Sequence, residues 1–352
     1  MSVSLAPVRP ADSASGKPNF SVHPNLDAAI TRSQSYLLSE QKPEGYWVGE
    51  LMVDVTLVAD MVAFYHWWGK VDPVWQRKAV HHIFEKQLPD GGWNIYPHGP
   101  AEVNATVKAY LALKLAGIPT TDPRMLRARE MARSLGGVPR MNTFSKLYLA
   151  LLGLATWNHV PTIPCEVLLI GKWFHVNFWE MSNWSRAMII PLAIINHFRP
   201  TRKLAVDLDE LFPNGKWELE ETLRPRYFDF SLRNIFLWLD RLHKFAEWVS
   251  RNGFHPFRER ALKRAENWML ERFEGSDGLA AIFPAMLNAL IALIALGYPD
   301  DHPQVIRAHH ELQKLMHFTE DSVRIEPCFS PVWDSAIVAI CLRESGVPAH
   351  HP

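Results

Sequence analysis

The side chains able to do acid, nucleophilic or metal chemistry are scattered along these 352 residues, and their spacing argues against most reactions they could support. Cys165, Cys328 and Cys341 are far apart, odd in number and without metal-ligand spacing, which fits free thiols in a reducing compartment. No Cys stands two residues before an Asp, so the zinc site of a protein prenyltransferase is missing. The pairs His81-His82, His309-His310 and His350-His351 fall on predicted surface helices or at the terminus, where solvation is expected and ligation is not. The facing carboxylates of a glycosidase are missing too, because Asp54 and Asp60 are spaced onto different faces of a helix. No metal and no cofactor is expected. What the chain has in excess is aromatic surface: fourteen Trp and eighteen Phe exceed what aliphatic helix packing requires, and that excess needs a role.

The elements that would position these rings are helices. Three segments repeat one pattern: Gly117-Ile-Pro-Thr-Thr-Asp-Pro123, Gly297-Tyr-Pro-Asp-Asp-His-Pro303 and Gly346-Val-Pro-Ala-His-His-Pro352. The Gly suits the left-handed position past a helix end and the second Pro suits the first turn of the next helix, so each is a helix–turn–helix corner. The helices before the corners, Val107–Leu115, Leu287–Leu296 and Ala336–Leu342, are apolar all round and read as inner; those after the first two corners are amphipathic and read as outer. Alternating inner and outer helices predict an all-α fold, an α/α-barrel, and no sustained period-two segment suggests a sheet. A second repeat, Gln41…Gly45-x-Trp47 and Gln87…Gly91-x-Trp93, places a Gln amide to bond orphaned backbone groups while an indole covers the turn. A degenerate third copy, Phe273 to Leu279, has lost both Gln and Trp.

Met1 to Phe20 lacks an apolar signal core and reads as a disordered tail. Residues 21–330 are expected to form the first barrel, and 331–352 to begin a second one, cut in mid-repeat at the third corner. Pro200 to Phe230 is irregular and reads as an insertion or long connection. Phe230 to Arg251 then sets Leu232, Ile235, Phe236, Leu239, Leu242 and Val249 along one helical face, with Trp238, Phe245 and Trp248 beside them and Arg233, Arg241, Lys244 and Arg251 elsewhere. This is the pattern of an interfacial helix, in competition with an ordinary core-facing one. No apolar run reaches the ~20 residues of a spanning helix. Lys plus Arg (37) equals Asp plus Glu (37), which excludes the electrostatic footprint of a nucleic-acid partner.

The two Gln…Gly-x-Trp units, in order with Trp184-Ser-Arg-Ala187, His255-Pro-Phe-Arg258 and Ser330-Pro-Val-Trp-Asp334, give the chain from about Asn25 to Pro352 a resemblance to squalene–hopene cyclases and the related oxidosqualene cyclases. The resemblance implies an isomerase that folds squalene or a similar polyprenyl chain in a central cavity and cyclises it to hopene and hopanol through carbocations. Cavity aromatic faces stabilise those cations and exclude water. It implies a monotopic enzyme on the cytoplasmic face of the bacterial inner membrane, dipping through the helix around Phe230–Arg251, with a second barrel domain and room for a homodimer.

By family position Asp60, Trp184, Ile282, Pro284, Trp333 and Asp334 belong to the substrate cavity, with Asp334 beside the acid. Met181 and Ile189 belong to the channel by which substrate enters. Plain core packing is the competing reading for the apolar members, and local pairing for Asp60. The family's acid is the middle Asp of Asp-x-Asp-Asp. That motif is absent; Asp207-Leu-Asp209-Glu210 is the nearest string and reads as a solvated surface run. No catalytic residue is therefore assigned, and the chain alone is not expected to start the reaction. The alternative is a non-catalytic fragment or a split-gene subunit that binds a separate C-terminal half. Val58 and Lys108 stand where some relatives carry glutamates.

Overall fold

A computed structural model describes residues 25–171, 174, 177–216, 224–251, 257–274 and 276–351. The expected tail, part of the His255-to-Arg258 stretch and Pro352 lie outside the described residues. The chain divides into two compact units, Met1–Gly49 with Ser330–Pro352, and Glu50–Phe329.

The larger unit is built of thirteen-residue-scale helices that alternate between inner and outer positions. Helices α2 (Thr56–Trp68), α4 (Val103–Leu115), α7 (Thr143–Leu151), α8 (Asn183–Phe198) and α11 (Phe283–Ala295) are buried over most of their surface. Helices α3 (Pro73–Glu85), α5 (Pro123–Ser134), α10 (Arg258–Glu271) and α12 (Pro303–Lys314) bury only a stripe of side chains three or four apart, such as Met125, Ala128 and Ala132 on α5. Packing runs α2 to α4 and α8 to α11 inside, with each outer helix against its inner neighbour, which is the α/α-barrel arrangement. The short α6 (Gly137–Arg140) precedes α7, and α9 (Leu232–Arg251) precedes α10.

The corners have a common cause. Gly117 and Gly297 adopt φ of 85° and 90°, and the next residue's amide donates to the carbonyl five positions back, Ile118 to Leu113 and Tyr298 to Leu293. Asp122 and His302 then cap the following helix through Arg124 N and Gln304 N, with Pro at its first turn. A corner the sequence pattern passed over joins α2 to α3: Gly69 sits at φ 80° and Lys70 N bonds Tyr65 O, with Asp72-Pro73 opening α3. It lacks the middle Pro; Gly, two residues, Asp-Pro was the available signal.

Two strands, β1 (Met316–Phe318) and β2 (Val323–Ile325), form an antiparallel hairpin after α12. Three-residue strands are too short to leave a period-two signature. Residues 200–216 are an irregular strap, yet Leu208, Leu211 and Phe212 are buried. Gly137 is required beneath it, since a Cβ there would stand 1.9 Å from Leu211 O.

The smaller unit pairs α1 (Leu26–Ser39) with α13 (Pro331–Glu344). Gln34 Nε2 donates to Ser345 O at 2.7 Å and Trp47 N to Ser335 Oγ at 2.9 Å. The sequence reading placed residues 21–330 in one barrel; among the described residues these long-range bonds group 25–49 with 330–351. On α1 no residue is buried and on α13 only Leu342, so the inner character expected of Ala336–Leu342 is not realised within this unit.

Candidate functional site

The residues expected to line a cavity in the larger unit sit at the beginnings of inner helices. Ile282 precedes α11 and Pro284 is in its first turn; Trp184 is in the first turn of α8, with Met181 just before it and Ile189 in its second turn; Asp60 is in the second turn of α2. Ile282, Pro284 and Ile189 are half-buried, whereas Met181 and Trp184 are 40% and 55% exposed. Farther along, the inner helices close on one another: Phe64, Trp67, Tyr148 and Ile291 surround a void of only about 10 Å³. The ring interior is therefore packed core, and the helix beginnings are where side chains remain available.

One polar group is set among them. Asp60 is 6% exposed on an otherwise apolar helix, and Lys108 of α4 donates to its Oδ2 at 2.8 Å. The same Lys108 nitrogen stands 5.3 Å from the centre of the Tyr148 ring on α7. Burial raises the Asp60 carboxyl above its usual range, and Lys108 opposes that rise. Burial and the Asp60 charge both push the Tyr148 phenol well up. Three inner helices thus converge on an ion pair that no single-helix reading could supply, and Lys108, noted only as a departure, is its cationic half.

In the smaller unit Trp333 is 70% exposed and Asp334 half-buried. Both Asp334 oxygens are engaged: Gly49 N donates to Oδ2 at 3.0 Å and Ser330 Oγ to Oδ1 at 2.9 Å. Here the carboxylate ties the two stretches of this unit together.

The two Gln/Trp turns are built alike. Gln41 Nε2 donates to Gly45 O at 3.2 Å, and Gln87 Nε2 to Gly91 O at 2.9 Å and to Arg124 O at 3.0 Å. Trp47 Nε1 reaches Leu37 O and Trp93 Nε1 reaches Ile83 O, each at 2.6 Å and each ten residues back. Gly91 has φ 94°, and a Cβ would meet Arg127 Cβ at 2.5 Å, so this turn is pressed against α5.

Two polar expectations are corrected. One member of each of the first two His pairs turns inward: His82 is buried, and His309 is half-buried beside Tyr65, with its Nε2 3.1 Å from the Tyr65 hydroxyl. Desolvation lowers both imidazoles to about 4. Glu210 is not simply solvated either, since it accepts from Tyr110 Oη at 2.8 Å and Lys114 Nζ at 2.6 Å, fastening the strap to α4. Among the described residues no group of His, Cys, Asp and Glu could hold a metal ion.

Helix α9 has the reverse of a soluble helix's polarity. Leu232, Phe236, Leu242, Phe245 and Trp248 are each more than 60% exposed, while Asn234 and Glu247 are buried. The polar side is bonded to the barrel. Asn234 exchanges hydrogen bonds with Arg226, Asp240 Oδ1 accepts from Thr162 N at 2.8 Å, and Lys244 Nζ donates to Asn158 O at 2.6 Å. At the C-terminal end Arg258 holds Glu247 through two bonds of 3.1 and 2.7 Å and Glu166 through one of 2.8 Å. No described helix is long and apolar enough to cross a membrane.

A family model described as the squalene-hopene cyclase N-terminal domain matches residues 30–321. Dammaradiene synthase of Dryopteris crassirhizoma is 34% identical over 97% of this chain and 49% of its own length. Squalene–hopene cyclases of Zymomonas mobilis (35%, over 92% of this chain and 49% of theirs) and Alicyclobacillus acidocaldarius (33%, over 93% and 51%) are similar. The chain spans about half the length of the curated relatives it matches. Among solved structures, a type II terpene cyclase from Scytonema in complex with geranylgeranyl dihydroxybenzoate aligns with a TM-score of 0.25 and 13% identity, covering 82% of this chain and 76% of that one. The match of 30–321, which takes in the helical barrel from α2 to α12, places this chain in the squalene–hopene cyclase family.

Proposed function

We propose that this chain supplies part of the cavity wall of a triterpene cyclase that folds squalene, or a similar polyprenyl chain, and directs its carbocation cyclisation toward hopene and hopanol. The family match over residues 30–321 carries the reading. Trp184, Ile282 and Pro284 at the helix beginnings are wall residues of the larger unit in this proposal, Met181 and Ile189 border the path of substrate, Asp60 with Lys108 is a fixed polar group of that unit, and Trp333 is a wall residue of the smaller unit. Asp334 serves as a brace.

Protonating an alkene needs a strong acid in a dry site. No Asp-x-Asp-Asp occurs in the 352 residues, so the proton is assigned to a group outside them. The bare faces of α1 and α13, with Val332, Trp333 and Ile340 exposed, favour a complementary helical segment as the partner that brings it. The outward apolar face of α9 supports a monotopic seat in one membrane leaflet, from which an apolar substrate would arrive without crossing water.

The test is a squalene assay with the chain alone and with a supplied C-terminal half of a relative. Hopene is expected only from the combination. Hopene from the chain alone, or no product from a combination that demonstrably associates, overturns the proposal.

A further inference from the structure

Helix α10 carries a second surface that the wall does not use. Arg260, Lys263, Arg264, Asn267 and Glu271 recur three and four apart, so they share one exposed face, while Ala261, Ala265, Trp268 and Met269 hold the other in the core. This face borders a groove of about 510 Å³ whose remaining walls are Trp179 and Trp268. The Arg264 guanidinium lies 4.5 Å from the Trp179 ring centre, and Trp179 is fixed in turn by its Nε1 bond to Leu168 O at 3.2 Å. Arg272 lies 3.8 Å from the Trp268 ring centre. Lys263 has Glu266 at 2.9 Å, but among the described residues Arg260 and Arg264 have no carboxylate partner. Glu271, also in the lining, has Arg272 at 3.6 Å, so the cationic excess of the groove is at Arg260 and Arg264, beside two indoles, in a chain of zero net charge.

We propose that this groove binds the phosphate of an anionic phospholipid headgroup, an inference that rests on the monotopic reading of α9. Guanidinium forks match phosphate oxygens two at a time, and indoles favour the headgroup level, where one edge is wet and the other apolar. The position agrees with that ligand. Arg260 is on the same helix as Arg258, which is bonded to Glu247 of α9, so the helix that carries the groove is also the one that anchors the outward apolar helix. At the other wall, Trp179 is followed by the exposed Met181 and Trp184. A free phosphate would need no such apolar surroundings.

The test is co-sedimentation of the full chain with vesicles of phosphatidylcholine alone and with added phosphatidylglycerol. Wild type is expected to bind both and to gain affinity with phosphatidylglycerol. Changing Arg260→Gln, Lys263→Gln and Arg264→Gln together should remove that gain, by about fivefold per cation and on the order of a hundredfold in all, and leave phosphatidylcholine binding unchanged. A charge-matched control, Arg77→Gln with Lys86→Gln and Arg127→Gln, should keep the gain. No gain in wild type, or an equal loss in the control, overturns the groove. Failure to bind phosphatidylcholine, with the gain intact, overturns the α9 reading and leaves the groove standing.

Discussion

Replacing Lys108 by Met, which keeps the length of the side chain and removes its charge, leaves Asp60 as a buried carboxylate with no cation. The pair is closed at 2.8 Å, with side-chain exposures of only 14% for Lys108 and 8% for Asp60. Removing one partner of such a pair costs about 3–5 kcal/mol, because the remaining charge keeps its desolvation penalty. The carboxyl has an escape by taking up a proton, so the lower end, about 3 kcal/mol at pH 7, is expected. The sign of the pH dependence follows. Burial already raises the folded-state pKa of Asp60, and without Lys108 it rises further. A raised carboxyl stabilises the fold below its unfolded pKa and loses that contribution as pH climbs through the folded one. Lys108→Met should therefore be nearly as stable as wild type near pH 4 and fall behind as pH rises to 7, in urea unfolding followed by far-UV circular dichroism. Lys108→Met with Asp60→Asn should recover most of the loss, since replacing both partners removes both penalties. A loss below about 0.5 kcal/mol at pH 7, or one equally large at pH 4, would refute the ion pair as a buried, mutually dependent unit.

Gly91→Ala should destabilise more than Gly117→Ala in thermal melts. Both have positive φ, worth about 1–2 kcal/mol to a residue with a Cβ, but only Gly91 also meets Arg127, adding about 1–3 kcal/mol of overpacking. Trp93→Phe should cost about 1–3 kcal/mol beyond its lost volume, because the Ile83 carbonyl is left unpaired in the core, and unchanged stability would show that the indole bond is incidental. Phe236→Glu with Trp238→Glu should reduce co-sedimentation with phosphatidylcholine vesicles at unchanged melting temperature; undiminished binding counts against a lipid-facing α9. Arg258→Met removes the cation that Glu166 and Glu247 share, and hydrogen exchange should quicken along residues 232–249 while α2 and α4 stay protected. His82 and His309 sit near 4 when folded against an ordinary 6.5, so stability should fall as pH drops from 6.5 toward 4, and His82→Gln should flatten part of that slope in urea titrations.

What was legible in the sequence is what local chemistry decides. A corner needs a Gly that tolerates positive φ and a Pro that opens the next helix, and both requirements fall within seven residues, as at Gly117 to Pro123. The Gln87-to-Trp93 turn is local in its internal bonds, which span four and ten positions, while its bond to Arg124 O, 37 positions on, was not legible. The partner of Asp60 was not legible in the same way, since Lys108 lies 48 residues away and only the packing of α2 on α4 brings them together. The grouping of residues 26–49 with α13 rests on bonds spanning 288 and 311 positions, for which no periodicity exists. Helix α9 lies between these cases. Its apolar stripe was visible, but a stripe does not say whether it faces the core or away from it. That choice is made by the opposite side: Asn234, Asp240, Lys244 and Glu247 each find a bonded partner in their own unit. A polar face so held cannot turn outward without stranding those groups, and the face with Phe236, Leu242 and Trp248 is left outside.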